Sequence, residues 1–260
     1  MLRRFSVLLL VGGLALCACD SGLRKDDESD RVTAPPLGAC RALSAADLTS
    51  ASNHSAVVPC TRAHTAQTFA VGRLPASTGS TYADKRHGGY VYSTCQLAFA
   101  QFLGADESTA LRSRLSWAWF RPSARGWSRG ARWYRCDLVG GESGARRLQN
   151  LPRDAKGLFS TSTPDAWMTC SRGATVAGGT KVACSQPHSW RAVTTVKVGQ
   201  PADPYPGDRL VQVRSRDYCH DSVGGWMHYP PDYDFGFTWF KADRWAAGNR
   251  RSICWARTPQ

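Results

Sequence analysis

The chain has 260 residues, with 33 Lys and Arg against 20 Asp and Glu for a formal charge of +13, 42% apolar residues, ten Cys and ten Trp. That apolar share and tryptophan content exclude a disordered or fibrous chain. No apolar run reaches the roughly 18 residues a spanning helix needs, which leaves one large or two small packed domains.

At the front, Arg3 and Arg4 precede an apolar stretch at 5–16 with the length of an export-signal core. In Leu16-Cys17-Ala18-Cys19 a small residue precedes Cys19 and an aliphatic one stands three places before it, which resembles the lipobox of bacterial lipoproteins. Residues 1–18 are therefore read as a lipoprotein signal peptide, with Cys19 as the acylated, palmitate-bearing first residue of the mature chain. The alternative is an ordinary cleaved signal with a stray cysteine. Lipid chains, and not a helix, would then anchor the protein to the outer face of the cell membrane. Residues 19–36 mix charges of both signs with small polar residues and two prolines, and read as a solvated tether.

From Gly38 onward Cys, Trp and aliphatic residues take over, organised by an internal repeat. Cys60-Thr-Arg-Ala-His64 recurs as Cys184-Ser-Gln-Pro-His188, and each is followed by a β-rich stretch, at 65–71 and 189–198. Thirty-five positions after these cysteines come Cys95 and Cys219. Each half closes with Trp-x-x-Gly-x5-Cys, as Trp127, Gly130 and Cys136 and then as Trp245, Gly248 and Cys254. Val91, Cys95, Ala98, Phe99 and Phe102 share one helix face, ended by Gly104. Residues 210–223 repeat the pattern more weakly, with Val211, Cys219 and Val223. Strands are expected at 67–72, 115–120 and 133–139, again at 191–198, 235–240 and 252–256, with short locally paired strands near 56–60 and 181–184. The expectation is an α+β protein of two tandem homologous modules, 37–140 and 165–260, each one helix on an antiparallel sheet, joined by a Gly-, Arg- and Ser-rich linker at 141–164.

Cys40 and Cys170 open the two modules, so each holds four cysteines, and in an exported chain these form a disulfide framework. Four cysteines allow three pairings, which the sequence leaves open. The favoured set is Cys40 with Cys60 and Cys95 with Cys136, and by the repeat Cys170 with Cys184 and Cys219 with Cys254.

Together these residues resemble the septum formation domain of actinobacterial envelope proteins, whose members carry a cysteine shortly before a Pro-His or similar pair, a β-rich stretch, a cysteine in a following helix and a late Trp-x-x-Gly-x-Arg-x3-Cys segment. The matching positions are Cys60 with His64 and Cys184 with His188, then Cys95 and Cys219, then Trp127 to Cys136 and Trp245 to Cys254. Family members often place Glu three residues after the histidine, whereas this chain has Gln67 and Arg191. The resemblance implies two tandem copies and a link with cell division, and supplies no reaction.

Cys60-x3-His64 and Cys184-x3-His188 have a spacing that a zinc site or a thiolate-imidazole pair could use. Each offers only two ligands, so the favoured reading is structural, with His64 and His188 hydrogen-bonded to backbone at the turn into the next strand. The chain has no G-x-S-x-G, P-loop, H-E-x-x-H or S-x-x-K motif. Asp203 with Asp208 and Asp232 with Asp234 sit in Pro-, Tyr- and Gly-dense loops and read as turn formers. No catalytic residue, metal or cofactor is assigned. Arginines crowd both Trp-x-x-Gly segments, making Trp127, Trp245, Arg129 and Arg250 candidate binding residues beside the two histidines, although arginine stacked on tryptophan within its own module is the favoured account. The expected function is a non-catalytic binding or scaffolding component of the envelope. Anionic lipid, a cell-wall polymer or division proteins are its expected partners, and nucleic acid is not. The alternatives are an envelope enzyme using a Cys/His pair and a metal-binding module.

Overall fold

The computed structural model describes residues 27–142 and 144–258. The expected signal peptide at 1–18 and Cys19 lie outside the described residues. In the first half, β1 (Cys40–Arg41), β2 (Val57–Val58), β3 (Ala66–Arg73), β4 (Leu115–Phe120) and β5 (Trp133–Gly140) form an antiparallel sheet in the order β2-β1-β3-β5-β4. In the second, β6 (Thr169–Arg172), β7 (Thr180–Ala183), β8 (Trp190–Lys197), β9 (Phe235–Thr238) and β10 (Arg251–Arg257) form another in the order β7-β6-β8-β10-β9. The two orders match strand for strand. So does an irregularity within them. Phe69 in β3 and Val193 in β8 are each passed over in the pairing, opposite Cys136 and Asp137 in one sheet and Cys254 and Trp255 in the other. A β-bulge thus stands at the same place in both sheets.

The long helices are α1 (Arg86–Leu103) and α4 (Asp208–Trp226). Val91, Cys95, Phe99 and Leu103 lie four residues apart on α1 and are buried against Phe69, Leu115, Tyr134 and Leu138 of the sheet. Gly104 ends the helix in the left-handed conformation, its N–H bonded to the Ala100 and Gln101 carbonyls. The face of α4 is thinner, Val211, Cys219 and Val223, and includes Ser215, whose buried Oγ lies 2.7 Å from Oγ of Ser252. Disulfides join Cys40 to Cys60, Cys95 to Cys136, Cys170 to Cys184 and Cys219 to Cys254. The second and fourth tie each long helix to the sheet beside the bulge.

Three features depart from the sequence reading. First, each half carries more than one helix. Short helices α2 (Glu107–Leu111) and α3 (Ala124–Ser128) are capped by Asp106 and Ser123, and α5 (Ala242–Ala246) precedes β10. Segments of five residues are too short to show a period, which is why the pattern missed them. Second, the tether expected over 19–36 is docked at residues 27–30, while 31–34 and 36 are exposed. Ser29 is buried, the Ser29 carbonyl accepts from Ser123 N–H at 2.9 Å, and Glu28 is ion-paired with Arg41 and Arg135. Third, the linker 141–164 folds back on the first half. Leu151, Ala155 and Phe159 are buried in its core, and Leu151 and Phe159 N–H bond the His64 and Leu103 carbonyls. Apolar side chains spaced irregularly among charges carry no periodic signal, yet each finds a place in the core.

The halves are in direct contact. Arg114 N–H donates to the Trp167 carbonyl at 2.7 Å, Thr169 N–H to the Arg112 carbonyl at 2.9 Å, and Arg251 Nε lies 2.7 Å from Glu107. Gly130 and Gly248 of the repeated motif both have positive φ, +97° and +109°. Only at Gly248 would a Cβ overlap a neighbour, the Tyr92 ring of the first half. Gly130→Ala is expected to cost about 1 kcal/mol from backbone strain alone. Gly248→Ala should cost distinctly more, because it also pushes the halves apart, and equal losses in urea melts would count against that contact.

Candidate functional site

The repeated motifs make matching backbone contacts in the two halves. His64 Nδ1 donates to the Arg62 carbonyl at 2.8 Å and His188 Nδ1 to the Gln186 carbonyl at 2.8 Å, and both rings are buried. This is the same turn made twice. Cys60 and Cys184 are in disulfides, so neither offers a thiolate for nucleophilic attack or for a metal, and both alternatives built on a Cys/His pair lose their sulfur. Among the described residues no group of three or more His, Cys, Asp or Glu is placed to hold a metal ion.

Trp127 and Trp245 are 8% and 4% exposed. Arg132 covers the Trp127 ring at 3.9 Å and Arg250 covers Trp245 at 4.0 Å, and each guanidinium also donates to the carbonyl of the tryptophan it covers, at 2.8 Å and 2.7 Å. A buried ring stacked by its own half's arginine presents no face to a partner. The stacking residue in the first half is Arg132, and not Arg129, which is exposed. The spacing of five residues, shared by Trp127 with Arg132 and Trp245 with Arg250, is the signal that distinguishes them. Asp203 accepts from Gln200 N–H at 2.7 Å and Asp234 pairs with Arg257 at 3.0 Å, so these loop carboxylates serve turns and surface pairs.

A wide concavity lies elsewhere, where the halves meet. It is a cleft of about 930 Å³. Its first-half wall carries Tyr92, Trp117 and Trp119 from α1 and β4, and its second-half wall carries Trp239, Phe240 and Trp255 from around β9 and β10. Both β4 and β9 are outer strands of their sheets. Alternation along β4 places Leu115, Trp117 and Trp119 on the α1 side, where Trp117 Nε1 donates to Gln96 Oε1 at 3.0 Å and its ring meets Tyr92 at 5.5 Å. Alternation in β10 turns Ile253 and Trp255 away from α4 and toward the cleft. Lys181 Nζ stands 3.8 Å from the Trp255 ring centroid.

Ionisable groups in the cleft are perturbed by burial. Burial pushes the Glu142 carboxyl up against the opposing pull of Lys181 and Arg114, and pushes Lys181 down against Glu142. Burial, helped by the Glu107 charge, raises the Tyr92 phenol to about 12. Perturbed groups gathered in one cleft make it a candidate site. For Glu142 the sign is defined. A carboxyl whose folded value is raised favours the folded state only below the ordinary glutamate range and opposes it as the carboxylate forms. Glu142→Gln is therefore expected to raise the melting temperature at pH 7, with the gain vanishing below the ordinary glutamate range. A gain unchanged with pH would assign the effect to something other than charge.

A family model described as septum formation matches residues 92–254. The chain belongs to the septum formation family. The match is one continuous stretch that opens inside α1 and closes in β10, and it takes in part of each wall of the cleft, with Lys85 and Trp255 outside it. Comparison with the curated proteins and with the solved structures finds no match. Membership suggests a role in septum formation or division. The four disulfides fit an extracytoplasmic, oxidising location, and no helix among the described residues is long and apolar enough to cross a membrane.

Proposed function

We propose that this protein acts in septum formation at the outer face of the cell membrane as a non-catalytic binding component, anchored through an acylated Cys19 and holding its ligand in the cleft between its halves. The cleft carries this reading. It joins aromatic walls from both halves to a set of cations. The matched strand orders and the shared bulge favour two diverged copies of one module, within which the first half keeps residues 27–31 as an added strap. That strap also limits reach. With the chain docked from residue 27, the body stands no more than roughly 28 Å from an acylated Cys19, at about 3.5 Å per residue.

Two results test the proposal in cells that carry the protein. Depletion is expected to delay or misplace septa, and Cys19→Ala is expected to move the chain from the membrane fraction to the medium. Normal septa on depletion would remove the division role, and retention of the Cys19→Ala chain in membranes would remove the lipid anchor.

A further inference from the structure

Three residues lining the cleft are more than nine-tenths buried and hold a polar atom with no partner: Gln96 Nε2, Thr169 Oγ1 and Trp255 Nε1. The amide and indole nitrogens can only donate, and the hydroxyl can donate. A buried donor left unmatched is costly, so a ligand that reaches these walls gains by bringing acceptors. Around them stand Lys85, Lys181, Lys241 and Arg244 against only Glu142 and Asp243. Unmatched donors and surplus cations call for the same thing, oxygen atoms carrying negative charge. The half-buried indoles of Trp117, Trp119 and Trp239 add flat apolar faces.

One ligand chemistry meets all three demands. A pyranose ring has an apolar C–H face for an indole and a rim of ring, ether and hydroxyl oxygens for donors, and carboxylates along the chain meet the cations. We infer that the cleft binds a short segment of an acidic glycan. This deepens the binding function proposed above and rests on it. An acidic peptide matches the charge, but its backbone brings as many N–H donors as carbonyls to a wall whose unmatched groups are donors.

The test uses the full mature chain exported through an oxidising compartment. Its tryptophan fluorescence is followed on titration with a tetrasaccharide of alternating N-acetylglucosamine and N-acetylmuramic acid, with the neutral N-acetylglucosamine tetramer, and with a tetraglutamate peptide. Saturable binding of the acidic sugar is expected, about tenfold tighter than the neutral one and weakening with salt. Lys241 and Arg244 are exposed, so the Lys241→Ala, Arg244→Ala double variant should keep its melting temperature and lose about tenfold in affinity for the acidic sugar. Trp239→Ala should weaken both sugars. No saturable change with either sugar, preference for the peptide, or unchanged affinity in the double variant would overturn the assignment. Septal defects on depletion together with absent sugar binding would remove the glycan alone and leave the division role standing.

Discussion

Asp137→Ala is expected to lower stability by about 3–5 kcal/mol, because it strips one partner from a buried charge network. Arg41, Arg135 and Asp137 have fully buried side chains on the helix-free face of the first sheet. Asp137 accepts from Arg135 Nε at 3.0 Å and from Thr68 Oγ1 at 2.7 Å. Glu28, arriving on the strap, accepts from Arg41 and from Arg135 Nη1 at 2.7 Å, and Asn53 Oδ1 accepts from Arg135 Nη2 at 2.8 Å. Two arginines and two carboxylates balance, and deleting Asp137 leaves a net positive charge sealed from water. Glu28→Gln should cost less, since that carboxylate is 18% exposed and water can reach the site. Arg135→Leu with Asp137→Leu should also cost less than Asp137→Ala alone, because the remaining Arg41 and Glu28 stay paired. Urea midpoints of the three variants check the order. A loss under about 1 kcal/mol for Asp137→Ala would mean the network is hydrated and only weakly coupled to folding.

The second large effect is that of the disulfides. Their sequence separations of 20, 41, 14 and 35 residues correspond in the chain-entropy model to about 3–4 kcal/mol each, comparable together to the whole stability of a domain. Replacing Cys95 and Cys136 by Ser, or Cys219 and Cys254, is expected to cost about 4 kcal/mol and free a long helix from its sheet. Full reduction should unfold the protein. Cys95, Cys136, Cys219 and Cys254 are wholly buried, whereas Cys60 is half-exposed, so a mild reductant should open the Cys40–Cys60 bridge first. Alkylation of the native, unreduced chain should label no cysteine among the eight. A labelled Cys60 or Cys184 would reopen the thiol chemistry that the bridges close.

Much of the fold was legible because the repeat states it twice. The positions of β3, β4 and β5, their counterparts β8, β9 and β10, the two long helices and the favoured cysteine pairing all agree with the structure within a residue or a few. Local periodicity and preserved spacing carry that information, and each half corroborates the other. The site was much less legible. The repeated motifs single out Trp127, Trp245, Arg129 and the histidines, while the structure buries the tryptophans and histidines and stacks Arg132 in place of Arg129. Trp117, Trp119, Trp239, Lys181 and Glu142 belong to no motif, and only the meeting of the halves brings them to one cleft.

The sequence by itself determined the places of the principal strands, the two long helices and the eight cysteines that the structure pairs. Tertiary structure decided what each half does with its helix-free face. Arg135 and Asp137 occupy the places that Ile253 and Trp255 hold in the second half, by the shared spacing from Cys136 and Cys254. One face is charged and sealed by the strap from 107 residues away in sequence, and the other is apolar and opens on the cleft. The reason is physical. Strand and helix follow from patterns a few residues long, which a repeat amplifies, whereas the cost of burying a charge is set by whichever distant group arrives to neutralise it.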